Sequence, residues 1–210
     1  MTEIKLKVCG MRDPQNIQDL GTVQPDFVGF IFYPKSPRYV GEEWDESIVK
    51  SIPSSIKKIG VFVNESVEKI NLLASKYQLD GIQLHGSETP EICQTIKDKN
   101  LLVLKAFSVD ESFDFELIKK YESFCDYFLF DTKTSQHGGS GVKFDWKKLY
   151  EYTSSIPFFL SGGIMEEDVN EIKSLNIKGL YSVDINSKFE IEPALKDIKM
   201  VERFAQKLRQ

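Results

Sequence analysis

The chain has few of the residues that build covalent staples and metal cages. Its 210 residues include three cysteines and two histidines. Cys9, Cys93 and Cys125 are odd in number, unevenly spaced and form no Cys-x-x-Cys pair, with only His85 and His137 to join them. This usage argues against a disulfide framework or a structural zinc site, and it points to a reducing cytoplasm. Long apolar runs are also missing. None approaches the roughly 20 residues of a membrane span, and the opening Met1-Thr2-Glu3-Ile4-Lys5-Leu6-Lys7 lacks the apolar stretch of a signal peptide. The expectation is a protein without membrane partners.

Positive charge is scarce in its most specific form. Lysine greatly outnumbers arginine, which occurs only at Arg12, Arg38, Arg203 and Arg209. With a net charge of −5 the chain is a poor ligand for nucleic acid, whose backbone needs clustered cations. A small anion needs only local positive potential and stays open as a ligand. Arg12 and Arg38 each follow an expected strand closely, where a guanidinium could clamp an anion through two bonds. Arg203 and Arg209 read as solvated helix surface.

What is present is periodicity. The hydrophobic fraction of 41% and charged fraction of 28% are those of an ordinary globular protein. Short apolar runs predict strands at 4–9, 27–32, 58–63, 81–84, 101–107, 127–131, 157–161 and 179–183. They recur about every 25 residues, the span of a strand, a helix and two short loops. Between them, Asp13-Pro14 caps one helix, Ser66 caps another over residues 67–77, and Ser87-Glu88-Thr89-Pro90 opens a third over 91–97. Pro193 is expected to open a last helix to about Leu208. Eight such units fit an α/β chain with a single (β/α)8 barrel spanning residues 1–210. An open doubly wound sheet is the rival fold. It more often carries a G-x-G-x-x-G turn after strand 1, where this chain has Cys9-Gly10-Met11-Arg12.

A barrel of this kind places its active site at the C-terminal ends of the strands. The polar candidates there are Cys9, Arg38, Asn64, His85, Lys105, Asp131 and Asp184. Each alone has a plain structural explanation: a small buried thiol, a rim histidine, a capping asparagine, a salt-bridged aspartate. Asp131 leaves an apolar strand, Phe128-Leu129-Phe130, and the resulting desolvation suits a general acid. Two glycine-rich turns, His137-Gly138-Gly139-Ser140-Gly141 and Ser161-Gly162-Gly163-Ile164, follow strands 6 and 7. Phosphate sites in such barrels gather there, on exposed backbone N–H groups.

These residues carry a resemblance. Lys7-Val8-Cys9-Gly10, the run from Gly29 to Tyr39, Gly60-Val61-Phe62-Val63-Asn64 and Gln83-Leu84-His85-Gly86 appear in that order. They are followed by Phe130-Asp131-Thr132-Lys133-Thr134, Gly138-Gly139-Ser140-Gly141, Phe144-Asp145-Trp146 and Leu160-Ser161-Gly162-Gly163. The chain closely resembles the phosphoribosylanthranilate isomerases of tryptophan biosynthesis, nearly end to end. The resemblance implies an Amadori rearrangement of a phosphosugar–anthranilate substrate, without a cofactor, in a monomer or homodimer. It implies Cys9 as base and Asp131 as acid, with Arg38 on the anthranilate carboxylate and His85 and Asp184 lining the substrate. The phosphate would rest on Gly139, Gly141, Gly162, Gly163, Asn186 and Ser187. One departure stands out: Asp184-Ile185-Asn186-Ser187-Lys188 has Lys188 where the family often has glycine. Lys188 either supplies charge to the phosphate or merely occupies the turn with its stem in solvent, the reading favoured here.

Overall fold

The computed structural model describes residues 3–132 and 143–210. Eight parallel strands close a barrel in sequence order: β1 (Lys5–Cys9), β2 (Phe27–Ile31), β3 (Lys57–Phe62), β4 (Gly81–Leu84), β5 (Leu102–Val109), β6 (Tyr127–Thr132), β7 (Phe158–Leu160) and β8 (Leu180–Ile185). The seam is the β1–β8 pair, with Lys7 in register with Asp184. Closure removes the open sheet from consideration.

Helices α1 (Pro14–Leu20), α2 (Glu46–Lys50), α3 (Val67–Tyr77), α4 (Pro90–Lys97), α5 (Val169–Ser174) and α6 (Ile198–Arg209) cover the outside. Local chemistry sets their starts. The Asp13 side chain accepts from Asn16 N and the Ser66 hydroxyl from Lys69 N, each satisfying a donor that the first turn leaves orphaned. After β5 and β6 the connections are 3-10 helices, Phe115–Tyr121 and Trp146–Glu151.

Pro193 does not open the last helix. A two-stranded hairpin, β9 (Glu190–Glu192) and β10 (Leu195–Lys196), follows β8, and Pro193 lies in its turn beside Ala194 at φ +71°. Asp197 is the actual cap of α6, accepting from Met200 N. A proline that begins a helix and one that begins a turn need the same φ, so local sequence does not separate them.

Two apolar layers hold the barrel. The outer one joins strands to helices and includes Val8, Phe30, Phe62, Ile82, Phe128, Phe130, Phe158 and Phe204. The inner one fills the lumen with Phe27, Ile59, Leu104, Ala106, Leu129 and Phe159. Phe27 and Phe159 meet edge to face at 5.1 Å, and Tyr127 packs on Phe159 at 5.2 Å. This plug leaves the other, C-terminal, end of the lumen to polar groups. Phe159→Ala should therefore cost about 3–5 kcal/mol in urea unfolding, because the closed lumen cannot collapse around the void. Leu72→Ala, on a side chain that is 67% exposed, should stay within about 0.5 kcal/mol.

Candidate active site

Above the apolar plug a chain of polar side chains, buried at the Lys7 end, crosses the lumen. Lys7 on β1 is fully buried, and its ammonium donates to Asp184 Oδ2 and Gln83 Oε1, each at 2.8 Å. Gln83 Nε2 lies 2.7 Å from His85 Nδ1, and His85 Nε2 lies 3.4 Å from Asp131 Oδ2. Thr132 N donates to the other carboxylate oxygen, Asp131 Oδ1, at 2.8 Å. Asp131 thus sits next to the end of β6, with one oxygen on the Thr132 N–H and the other facing His85.

Cys9 lies two residues beyond Lys7 on the same strand and hence on the same face. It is 4% exposed. Burial pushes its thiol up, and the charges of Lys7 and Lys196 offset only part of that rise. The thiol also depends on an absent side chain. A Cβ on Gly29 of neighbouring β2 would lie 2.7 Å from Cys9 Sγ.

A second cluster borders the first. Arg38 forks on Glu190, with Nε at 2.8 Å from Oε1 and Nη2 at 2.7 Å from Oε2. Buried Lys196 bonds Glu190 Oε1 at 2.6 Å and Asn186 Oδ1 at 2.8 Å. Burial would push the Glu190 carboxyl up, but its bonds to Arg38 and Lys196 outweigh that and hold it below the usual carboxylate range. Two cations share one anion, so a unit of positive charge remains. The fork occupies one edge of the guanidinium; the Nη1 hydrogens find no acceptor among the described residues and stay available to a second carboxylate. Gly10, at φ +77°, makes this crossing possible, since a Cβ there would lie 2.8 Å from both Arg38 Cδ and Asn186 Oδ1.

Comparison with known proteins identifies the family. The family model described as N-(5'phosphoribosyl)anthranilate (PRA) isomerase matches residues 6–207. The N-(5'-phosphoribosyl)anthranilate isomerase of Parabacteroides distasonis is 44% identical over 204 residues, 97% of this chain and 92% of its own length. The crystal structure of phosphoribosyl anthranilate isomerase from Thermotoga maritima superposes with a TM-score of 0.88 at 36% identity, covering 98% of each chain. Another such isomerase, solved in complex with reduced 1-(o-carboxyphenylamino)-1-deoxyribulose 5-phosphate, has a TM-score of 0.83 at 32% identity, again over 98% of each chain. The chain belongs to the PRA isomerase family. It is an enzyme, an isomerase of tryptophan biosynthesis.

Set against the residues expected of a PRA isomerase, the fold brings Cys9, Arg38, His85, Asp131 and Asp184 to the C-terminal end of the barrel. Gly139 and Gly141 lie outside the described residues. The N–H groups of Gly162, Gly163, Ser187 and Lys188 follow β7 and β8 and find no acceptor among the described residues, which leaves them free for an anion. Gly162 has a further purpose: at φ +93° a Cβ would collide with Thr132 and come within 2.9 Å of Asp131 Oδ1. Asn186 turns its side chain to Lys196. Lys188 is exposed in the 3-10 turn Ser187–Phe189 and is not among the residues with positive φ, so glycine is not needed there.

Two expectations are corrected. Arg12 is no anion clamp; it donates to the carbonyls of Pro37, Tyr39 and Pro193 at 3.3–3.4 Å and ties loops together. Lys105 faces away from the lumen, buried against Glu88 at 3.1 Å and bonded to the carbonyls of Leu84, Gly86 and Ala106, where it braces the end of β4. Lys7, Gln83, Glu190 and Lys196 were not foreseen. The signal for the first two was there: Lys7 and Gln83 each interrupt an apolar strand two positions before a candidate, Cys9 or His85, and so share its face.

Removing Lys7 tests the chain. Burial already pushes the Asp184 carboxyl up against the pull of Lys7. Lys7→Met should destabilise the fold by about 3–5 kcal/mol by stranding that carboxylate. A carboxyl whose folded pKa is raised favours the fold where it is protonated. The deficit, read by urea unfolding, should therefore be largest near about pH 8 and shrink as pH falls through the Asp184 titration.

Proposed function

We propose that this enzyme converts N-(5'-phosphoribosyl)anthranilate to 1-(2-carboxyphenylamino)-1-deoxyribulose 5-phosphate, with Asp131 as general acid and Cys9 as general base. The observation that carries the reading is the placement of Cys9 and Asp131 on β1 and β6, on either side of one polar lumen above the apolar plug. Asp131 gives its proton to the ring oxygen of the sugar, the bond from that oxygen to the anomeric carbon breaks, and the anthranilate nitrogen forms an iminium. The Cys9 thiolate then takes the proton from C2, leaving an enolamine. Reprotonation at C1 and loss of the C2 hydroxyl proton give the ketone, so the product is an isomer of the substrate. Burial holds the Cys9 thiol above its ordinary range, and the cationic pull of Lys7 and Lys196 opposes that and supports the thiolate the base needs.

The substrate's other groups have matching partners. The free edge of Arg38 suits the planar anthranilate carboxylate, as does the net positive charge of the Arg38–Glu190–Lys196 cluster. Asp184 Oδ1 is buried without a hydrogen-bond partner and would accept from a sugar hydroxyl. The free N–H groups after β7 and β8, with Gly139 and Gly141, would hold the phosphate. In support, a structural relative was solved with the reduced form of this product bound.

Turnover is followed by loss of substrate fluorescence. Cys9→Ser and Asp131→Asn should each lower kcat about 10²–10⁴-fold while changing KM little, since each group serves one proton transfer. Near-normal turnover in Cys9→Ser would remove it as base. Arg38→Ala should chiefly raise KM, by about tenfold to a hundredfold, for loss of a charged hydrogen bond. A substrate analogue without the carboxylate should be insensitive to that change.

A further inference from the structure

The polar chain across the lumen has a direction, and that direction sets where a hydrogen sits on His85. A lysine ammonium only donates. Gln83, 1% exposed and 2.8 Å from Lys7 Nζ, must therefore turn its amide oxygen to Lys7. Its NH2 group is then left facing His85 Nδ1 at 2.7 Å, and it donates. Nδ1 must accept, so the ring hydrogen resides on Nε2, the nitrogen 3.4 Å from Asp131 Oδ2. The reversed amide would set donors against the ammonium at a site sealed from water, with Lys7 fully buried. Asp184, holding Lys7 at 2.8 Å, anchors the far end.

We propose that Gln83 is a positioning residue that locks His85 in its Nε2–H tautomer and so aims a donor at the carboxyl group of Asp131. When Asp131 releases its proton it becomes a carboxylate, and the Nε2 hydrogen supports that charge, while Thr132 N–H holds the other oxygen. The opposite tautomer would set a nitrogen lone pair against the new carboxylate. The catalytic part of this proposal rests on Asp131 as the acid; the tautomer itself does not.

The test reads the two parts separately. With two histidines in the chain, long-range proton–nitrogen correlation on 15N-histidine protein gives two ring patterns, and His85→Gln assigns one of them. The spectrum is taken in alkaline buffer, at a pH where the ring nitrogen shifts themselves report a neutral imidazole. The expected wild-type pattern is Nε2–H. Gln83→Glu keeps the shape and still accepts from Lys7, but its second oxygen needs a donor, so the hydrogen should move to Nδ1. Turnover should then fall about 10- to 100-fold in kcat, as for a misaligned catalytic group, with KM within about threefold. Gln83→Leu should give a mixed tautomer and an intermediate kcat. A wild-type Nδ1–H pattern, or no change in Gln83→Glu, overturns the lock. A switched tautomer with unchanged kcat overturns its part in catalysis. Wild-type turnover in Asp131→Asn with the lock intact would instead overturn the acid assignment.

Discussion

The buried pair between Lys7 and Asp184 organises the upper half of the barrel. It spans the seam where the first strand meets the last, in register, with neither side chain more than 5% exposed. A buried ion pair is a weak source of stability, because desolvating two charges offsets most of their attraction. Its value here is directional. One hydrogen of the ammonium supports Asp184, another orients Gln83, and its charge acts on Cys9. A group placed by closure of the barrel thus reaches both walls of the site.

The same economy of charge explains the Arg38 cluster. A lone arginine in a mouth of low dielectric would be costly to bury, and one fully neutralised would not attract an anion. Glu190 and Lys196 resolve this by fixing one edge of the guanidinium while returning the positive charge that Glu190 removes. The second strand of the hairpin that carries both, Leu195–Lys196, lies where the start of a helix from Pro193 was expected. Glycines complete the arrangement by what they leave out: Gly10 under Arg38 and Asn186, Gly29 beside the Cys9 thiol, Gly162 against Asp131 and Thr132. Each lets a reactive or binding side chain pass where a methyl group would stand.

Much of this was legible in the chain itself. Strand and helix spacing specified the closed barrel, since apolar runs of strand length alternating with capped amphipathic stretches leave few other architectures. The motifs around Cys9, Arg38, His85 and Asp131 marked the end of the barrel at which the site lies, because a residue closing a parallel strand is delivered to that end by geometry alone. Local sequence failed where one residue type serves two purposes. Pro193 suits a turn as well as a helix start, and Lys105 in an apolar strand reads as functional until its outward direction is known.

Sequence alone thus determined the order of the eight barrel strands and the family, both properties carried within short segments. Only the tertiary structure decided which side chains are partners. Lys7 and Asp184 are 177 positions apart, and Arg38 and Glu190 are 152 apart. No periodicity links residues at such separations. They meet because the sheet closes on itself and the hairpin after β8 folds back onto the segments that follow β1 and β2, and the direction of each hydrogen bond follows from that closure.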